Sequence, residues 1–160
     1  MCDLIHINKG QNIVFIDTSY YIFYRYFATF NWFKKYSQKD IESESIIENE
    51  TFMEKFDKLF ERDLVRIIKT NKVKWTNVYI VKDCMRETIW RNDYYKSYKG
   101  TRDDRLKSFN KDIFKHVYHE LLPRLEMTYK FHMVNHERLE ADDIIALMKN
   151  EIRRQDENCV

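Results

Sequence analysis

An α/β fold, an open parallel sheet flanked by helices, is the class this sequence predicts, and three observations predict it. Two short runs of β-forming apolar residues, Ile13–Ile16 and Val78–Val81, lack polar alternation, the pattern of strands buried on both faces. Segments of helical periodicity separate the strand candidates, and two Gly and one Pro leave few tight turns. Each run also leads into an acid, Asp17 or Asp83. Open parallel sheets place their ligand crevice at the carboxyl ends of the strands, so these acids can converge from distant parts of the chain.

The elements follow in order. After Ile13–Ile16 and Asp17, Thr18 and Ser19 are good helix caps, and the aromatic run Tyr20 to Ala28 is apolar nearly all round, predicting a buried helix. Lys39 to Glu50 is a charged, solvated connection or a helix start. Phe52, Phe56, Leu59, Phe60, Leu64, Ile67 and Ile68 form a helical stripe over about residues 51–71, and Val78–Val81 is the second strand. Phe109, Ile113, Val117, Leu121, Leu122 and Leu125 predict a helix over 105–126, with Pro123 kinking or ending it. The weak alternation of 127–134 predicts a third strand, and Ile144, Ile145, Leu147, Met148 and Ile152 a last helix. A sheet of about three strands follows.

The chain has 160 residues and is 44% hydrophobic, which suits a single domain spanning 1–160 with a real core. With Lys+Arg 28 against Asp+Glu 26, any nucleic-acid surface must come from local clustering and not from overall basicity. Cys2, Cys84 and Cys159 are too far apart for ligand spacing and read as reduced thiols. The polar N-terminus and the lack of a long apolar run predict a soluble, intracellular protein that is neither secreted nor in a membrane.

The chemistry concentrates after the third strand. Glu140, Asp142 and Asp143 place three carboxylates within four positions at a strand-to-helix turn. Taken alone they are an acid-rich first helical turn, favoured by the helix dipole. Taken with Asp17 and Asp83 they make five carboxylates at one sheet edge, whose repulsion a divalent cation would relieve. Hard ions such as Mg²⁺ or Mn²⁺ bind through carboxylates and water, and a pair of them can activate water and stabilise the leaving oxygen of a phosphodiester. On a regular helix Glu140 and Asp143 share a face while Asp142 points elsewhere, so convergence requires Glu140 to lie still in the loop. His116 and His119 could pair on a helix face but read as surface or core residues. Arg86 to Lys107 interleaves basic residues with Trp90, Tyr94, Tyr95 and Tyr98. It is either a solvated basic loop or a grip on nucleic acid, with cations on phosphates and tyrosines stacked on unpaired bases, about 1–3 kcal/mol per base.

Three blocks in order, VFIDTSYYIFYRYFA, VYIVKDCMRETIWRNDYYKSYKGTRDD and RLEADDIIALM, resemble the 5′ nucleases over residues 12–150. That family includes the 5′-to-3′ exonuclease domains of bacterial DNA polymerase I, phage 5′ exonucleases and flap endonucleases. The second block is closest to the phage members. The resemblance implies a PIN-like, Rossmann-like fold and metal-dependent cleavage of DNA or RNA/DNA near a 5′ end or flap, in replication and repair. It implies Asp17, Asp83, Glu140, Asp142 and Asp143 as ligands of Mg²⁺ or Mn²⁺, two ions in a complete site. Lys99 and Arg91 become stabilisers of the charged phosphate, and Arg25, Lys96, Tyr98 and Arg102 nucleic-acid contacts. It also implies a cytoplasmic, nucleoid or viral replication site.

Departures accompany the match. Thr18 stands where the family usually has Gly, and the interval from Asp83 to Arg91 is one residue longer than usual. The family continues beyond its third block with a fourth strand, further Asp ligands and a duplex-binding helical element. The expectation is therefore a domain truncated relative to the family, with the first strand's apolar edge needing cover. The alternative is a split or inactive chain that binds nucleic acid and needs a partner chain to supply the other half. A different Rossmann-like phosphohydrolase is disfavoured because Asp17-Thr-Ser-Tyr lacks a second acid after the first strand.

Overall fold

The computed structural model describes residues 11–36, 46–96, 98 and 109–155. It is an α/β structure whose sheet is three strands in the order β1 (Val14–Asp17), β2 (Val78–Val81), β3 (His132–Val134), all parallel. Val14 lies opposite Val78, and Tyr79 opposite His132. The central strand β2 is buried at all four positions, whereas β1, with a neighbour on one side only among the described residues, is half-buried throughout. The period of two along β2 divides the core. Val78 and Ile80 face the larger cluster, and Tyr79 and Val81 face a smaller one with Ala141 and Ile144.

Helix α1 (Thr18–Tyr36) starts on β1 without a turn because Asp17 itself caps it: the Tyr20 N–H donates to Asp17 Oδ1 at 3.0 Å. Thr18, expected as a cap, instead donates its hydroxyl to the Val81 carbonyl at 2.7 Å, pinning the start of α1 to the end of β2. Asn49 caps α2 (Glu50–Thr70) by accepting the Phe52 N–H at 2.9 Å. The buried stripe Phe52, Phe56, Phe60, Leu64, Ile68 then recurs every four residues against α1 and the sheet. Part of the charged connection, 39–45, lies outside the described residues; after it Ile46 is fully buried in a 3₁₀ turn, Ile46–Glu48.

The next rod runs as α3 (Asp112–His116), a π-helical turn (Val117–Leu121) and α4 (Leu122–Tyr129). Residues 105–108 of its expected start lie outside the described residues. Pro123 neither ends nor breaks the rod. The wide π turn puts it in the first turn of α4, where its missing N–H has no helical acceptor to lose. The third strand is shorter than expected, because Met127–Tyr129 continue α4. Tyr129 stacks on Trp75 with ring centres 4.3 Å apart and donates to Glu61 at 2.6 Å, contacts that a helical turn supplies. Lys130, at φ 62°, closes that helix in the left-handed conformation. Among the described residues, helix α5 (Ala141–Gln155) alone covers the face of the sheet opposite α1–α4. No helix among the described residues is long and apolar enough to cross a membrane.

Candidate functional site

The acids meet at the carboxyl edge of the sheet, on the α5 side. Asp17 shares the face of Phe15, and Asp83 that of Val81, so both side chains follow the residues that pack under α5. Asp83 Oδ1 accepts the Ala141 N–H at 2.7 Å and so serves as an external cap of α5. Asp142, on the first turn of α5 and exposed, completes a trio. Burial, and then the negative charges of Asp83 and Asp142, raise the Asp17 carboxyl above its ordinary pKa, against the opposing pull of the Tyr20 N–H. These three carboxylates form no ion pair with a described residue; they lie close enough to repel.

Glu140 and Asp143 behave differently. Glu140 precedes α5, its carbonyl accepting the Asp143 and Ile144 N–H groups at 3.1 Å, while Asp143 Oδ2 reaches back to the Glu140 N–H at 3.3 Å. This reciprocal cap keeps Glu140 in the loop, as convergence requires. The segment after β2 lies across it. Cys84 N–H donates to the Leu139 carbonyl, Trp90 N–H to that of Arg138, and the Thr88 hydroxyl to that of Glu137, at 3.1, 3.0 and 2.6 Å. Arg138 in turn pairs with Asp93. That stitching delivers Arg91 to both carboxylates: Nη1 to Glu140 Oε2 at 2.8 Å and to Asp143 Oδ2 at 2.7 Å, and Nη2 to Asp143 Oδ1 at 2.6 Å. Trp90 Nε1 adds a 3.1 Å bond to Asp143, and the Tyr98 hydroxyl a 2.9 Å bond to Glu140. The Arg91 guanidinium accordingly holds the Asp143 carboxyl below the usual carboxylate range.

Five carboxylates thus split into a repelling trio and an arginine-clamped pair. Among the described residues no three His, Cys, Asp or Glu side chains come together closely enough to hold a metal ion. The donor chemistry nevertheless suits a hard cation, since every group is a carboxylate oxygen and the trio forms no ion pair among the described residues.

Residues that composition and motif did not single out also border the edge. Tyr118 sits on the π turn, its hydroxyl 3.4 Å from Ser19 Oγ, with the Lys82 ammonium 4.3 Å over its ring. Burial pushes the Tyr118 phenol up to about 12, with a further contribution from Asp83 and Asp17, which places it beside the trio. Only the position of Lys82 next to Asp83 could have drawn attention to this group; a π turn has no sequence signature here.

Other expected contacts are placed as follows. Lys96, Tyr94 and Tyr95 are exposed on the segment beyond Arg91. Lys99 and Arg102 lie outside the described residues. Arg25 does not face outward as a substrate contact: it is 5% exposed and paired with the buried Asp63 of α2. At its position on α1 the guanidinium turns between the two helices onto Asp63, so the buried charge of each is compensated, and Arg62 and Arg66 approach the other Asp63 oxygen from the exposed side.

Residues 12–160 match the family model described as the 5′-3′ exonuclease, N-terminal resolvase-like domain. No curated protein and no solved structure matches the chain. The open parallel sheet with acids gathered at its carboxyl edge is the PIN-like, resolvase-like arrangement expected from the three sequence blocks. By its sequence and its fold, this chain belongs to the N-terminal, resolvase-like domain family of the 5′-3′ exonucleases, a family of nucleases.

Proposed function

We propose that the chain provides the acid site of a divalent-metal-dependent 5′ nuclease that hydrolyses phosphodiester bonds at a 5′ end or flap of DNA or RNA/DNA. The observation that carries this reading is the meeting of Asp17, Asp83 and Asp142, from three separate elements, beside the Arg91-clamped pair Glu140 and Asp143. Mg²⁺ or Mn²⁺ is the cofactor the carboxylates suit; Asp17, Asp83, Glu140, Asp142 and Asp143 would hold it, with two ions in a complete site. Bound there, a divalent ion acidifies water and stabilises charge on a phosphate oxygen.

The chain's own residues do the rest. Asp83 holds the first turn of α5 in place through Ala141, the residue before Asp142, whose charge is felt at Asp17. Arg91 lies where a phosphate at the acid edge can meet its guanidinium, and Lys99 and Arg102 follow on the same segment as phosphate contacts. Exposed Tyr94 and Tyr95, with Lys96, offer ring faces and a cation to an unpaired strand. Tyr98, tied to Glu140, sets where that strand passes.

The test is cleavage of a 5′-flapped duplex in Mg²⁺ or Mn²⁺ by the chain and by Asp17→Asn and Asp142→Asn. Loss of about 10²-fold or more in both variants is expected if these groups supply the electrostatic stabilisation; equal activity rejects the site. The separation of the acids into two groups, with no three among the described residues close enough to hold an ion, favours a second reading in which the chain binds nucleic acid and a partner chain completes the site. Salt-sensitive binding that Lys99→Ala/Arg102→Ala abolishes, without cleavage in any metal, would select that reading.

A further inference from the structure

We infer that Arg91 is a built-in counter-ion for half of the acid site, held by Glu140 and Asp143 while no nucleic acid is bound and drawn off them by a backbone phosphate. Cation binding at this half and nucleic-acid binding then reinforce one another. The inference rests on the proposed metal-dependent site and adds to it a device that couples its two ligands.

The geometry is specific. Three hydrogen bonds of 2.6 to 2.8 Å join one guanidinium to two carboxylates, and the contact to Asp143 is the side-by-side, two-bond form. A cation approaching Glu140 or Asp143 must therefore displace a charge already there. Asp17, Asp83 and Asp142 carry no such occupant among the described residues, so the two halves of the site differ in what it takes to fill them. The occupant is also exchangeable. The Arg91 side chain is 26% exposed, and guanidinium recognises phosphate in the same planar two-bond geometry as carboxylate.

Its surroundings keep it near when it lets go. The guanidinium lies 4.8 Å from the Trp90 ring centre and 5.6 Å from that of Tyr98, two faces that hold a cation at the mouth of the site. The same two residues bond the clamped carboxylates, so a strand that draws Arg91 outward loosens the whole clasp. Linkage makes the effect reciprocal: whatever factor phosphate adds to cation affinity, the cation adds to phosphate affinity.

Mn²⁺ binding to the whole chain, followed by electron paramagnetic resonance of free Mn²⁺, tests this without reference to turnover. Without nucleic acid, Arg91→Met is expected to bind Mn²⁺ about tenfold more tightly than wild type, and Arg91→Lys to stay near wild type. A flapped duplex with phosphorothioate linkages, which resist hydrolysis, should raise wild-type affinity about fivefold or more, within the usual range of coupling between sites, and leave Arg91→Met unchanged. Equal or weaker Mn²⁺ binding by a folded Arg91→Met overturns the inference while leaving the metal site standing. If Arg91→Met does not fold, Trp90→Phe, which removes one bond to Asp143 without changing charge, should still tighten Mn²⁺ binding measurably; no change overturns the inference. Absence of Mn²⁺ binding by every form, with or without duplex, overturns the metal site and the inference together.

Discussion

Two arginines, each expected to face substrate, ended in opposite situations. Arg25 joins α1 to α2 through Asp63, with both side chains at most 7% exposed. Arg91 joins the segment after β2 to the start of α5 through Glu140 and Asp143, and a quarter of its side chain remains in water. The chemistry of the contact is the same, guanidinium on carboxylate. What differs is the surroundings: the Arg25 guanidinium is enclosed against Asp63, whose other oxygen the exposed Arg62 and Arg66 also approach, whereas the Arg91 clasp is partly open to water at the acid edge. Burial turns an ion pair into a fixed joint, and partial exposure leaves it a replaceable one.

The comparison can be broken at its buried end first. Asp63→Ala strands the Arg25 guanidinium inside the helix pair and should lower unfolding stability by about 3–5 kcal/mol, measured by urea denaturation. Combining it with Arg25→Met removes the stranded charge and should recover most of that loss. A small effect of the single variant would show that Arg25 escapes to water.

At the replaceable end, Arg91→Met should cost about 1–2 kcal/mol, less than the buried case because water solvates the groups it leaves. Addition of Mn²⁺ should restore the difference. A loss as large as that of Asp63→Ala, or one that Mn²⁺ does not restore, would make the two clamps alike.

A third cation sharpens the contrast because it can be titrated. His116, where α3 meets the π turn, lies 2.7 Å from Asp57 of α2 and 3.1 Å from Glu120. Its pKa is raised above the ordinary value, chiefly by the hydrogen bond to Asp57 and against the effect of burial. The sign follows: folding favours the protonated ring, so its contribution is complete below the unfolded value near 6.5 and is lost as pH rises through the folded value. His116→Gln should therefore lose up to about 1 kcal/mol relative to wild type at pH 5.5 and little at pH 8.5. A gap that stays constant with pH would assign the role of His116 to packing alone.

Much of the fold could be read before any tertiary contact was known. The unbroken apolar runs at β1 and β2, the four-residue stripe of α2 and the acids at the strand ends all appear where local pattern put them. The short β3 and the continuous rod across Pro123 did not, because the apolar spacing of 127–134 fits a helix end as well as a weak strand, and a π turn depends on how the rod packs. At the site, the list of carboxylates was legible, but their partition was not.

What the sequence determined by itself was periodicity and order: which faces are apolar, where acids follow strands, and which family the three blocks belong to. Only the tertiary structure decided the partner of each charge. Arg91 and Asp143 are 52 positions apart, and Asp17 and Asp83 meet only because parallel pairing brings the ends of β1 and β2 level. The physical reason is that local pattern sets a side chain's direction from its own backbone, while charge pairing depends on distance across the fold and on how much water the fold leaves between the groups.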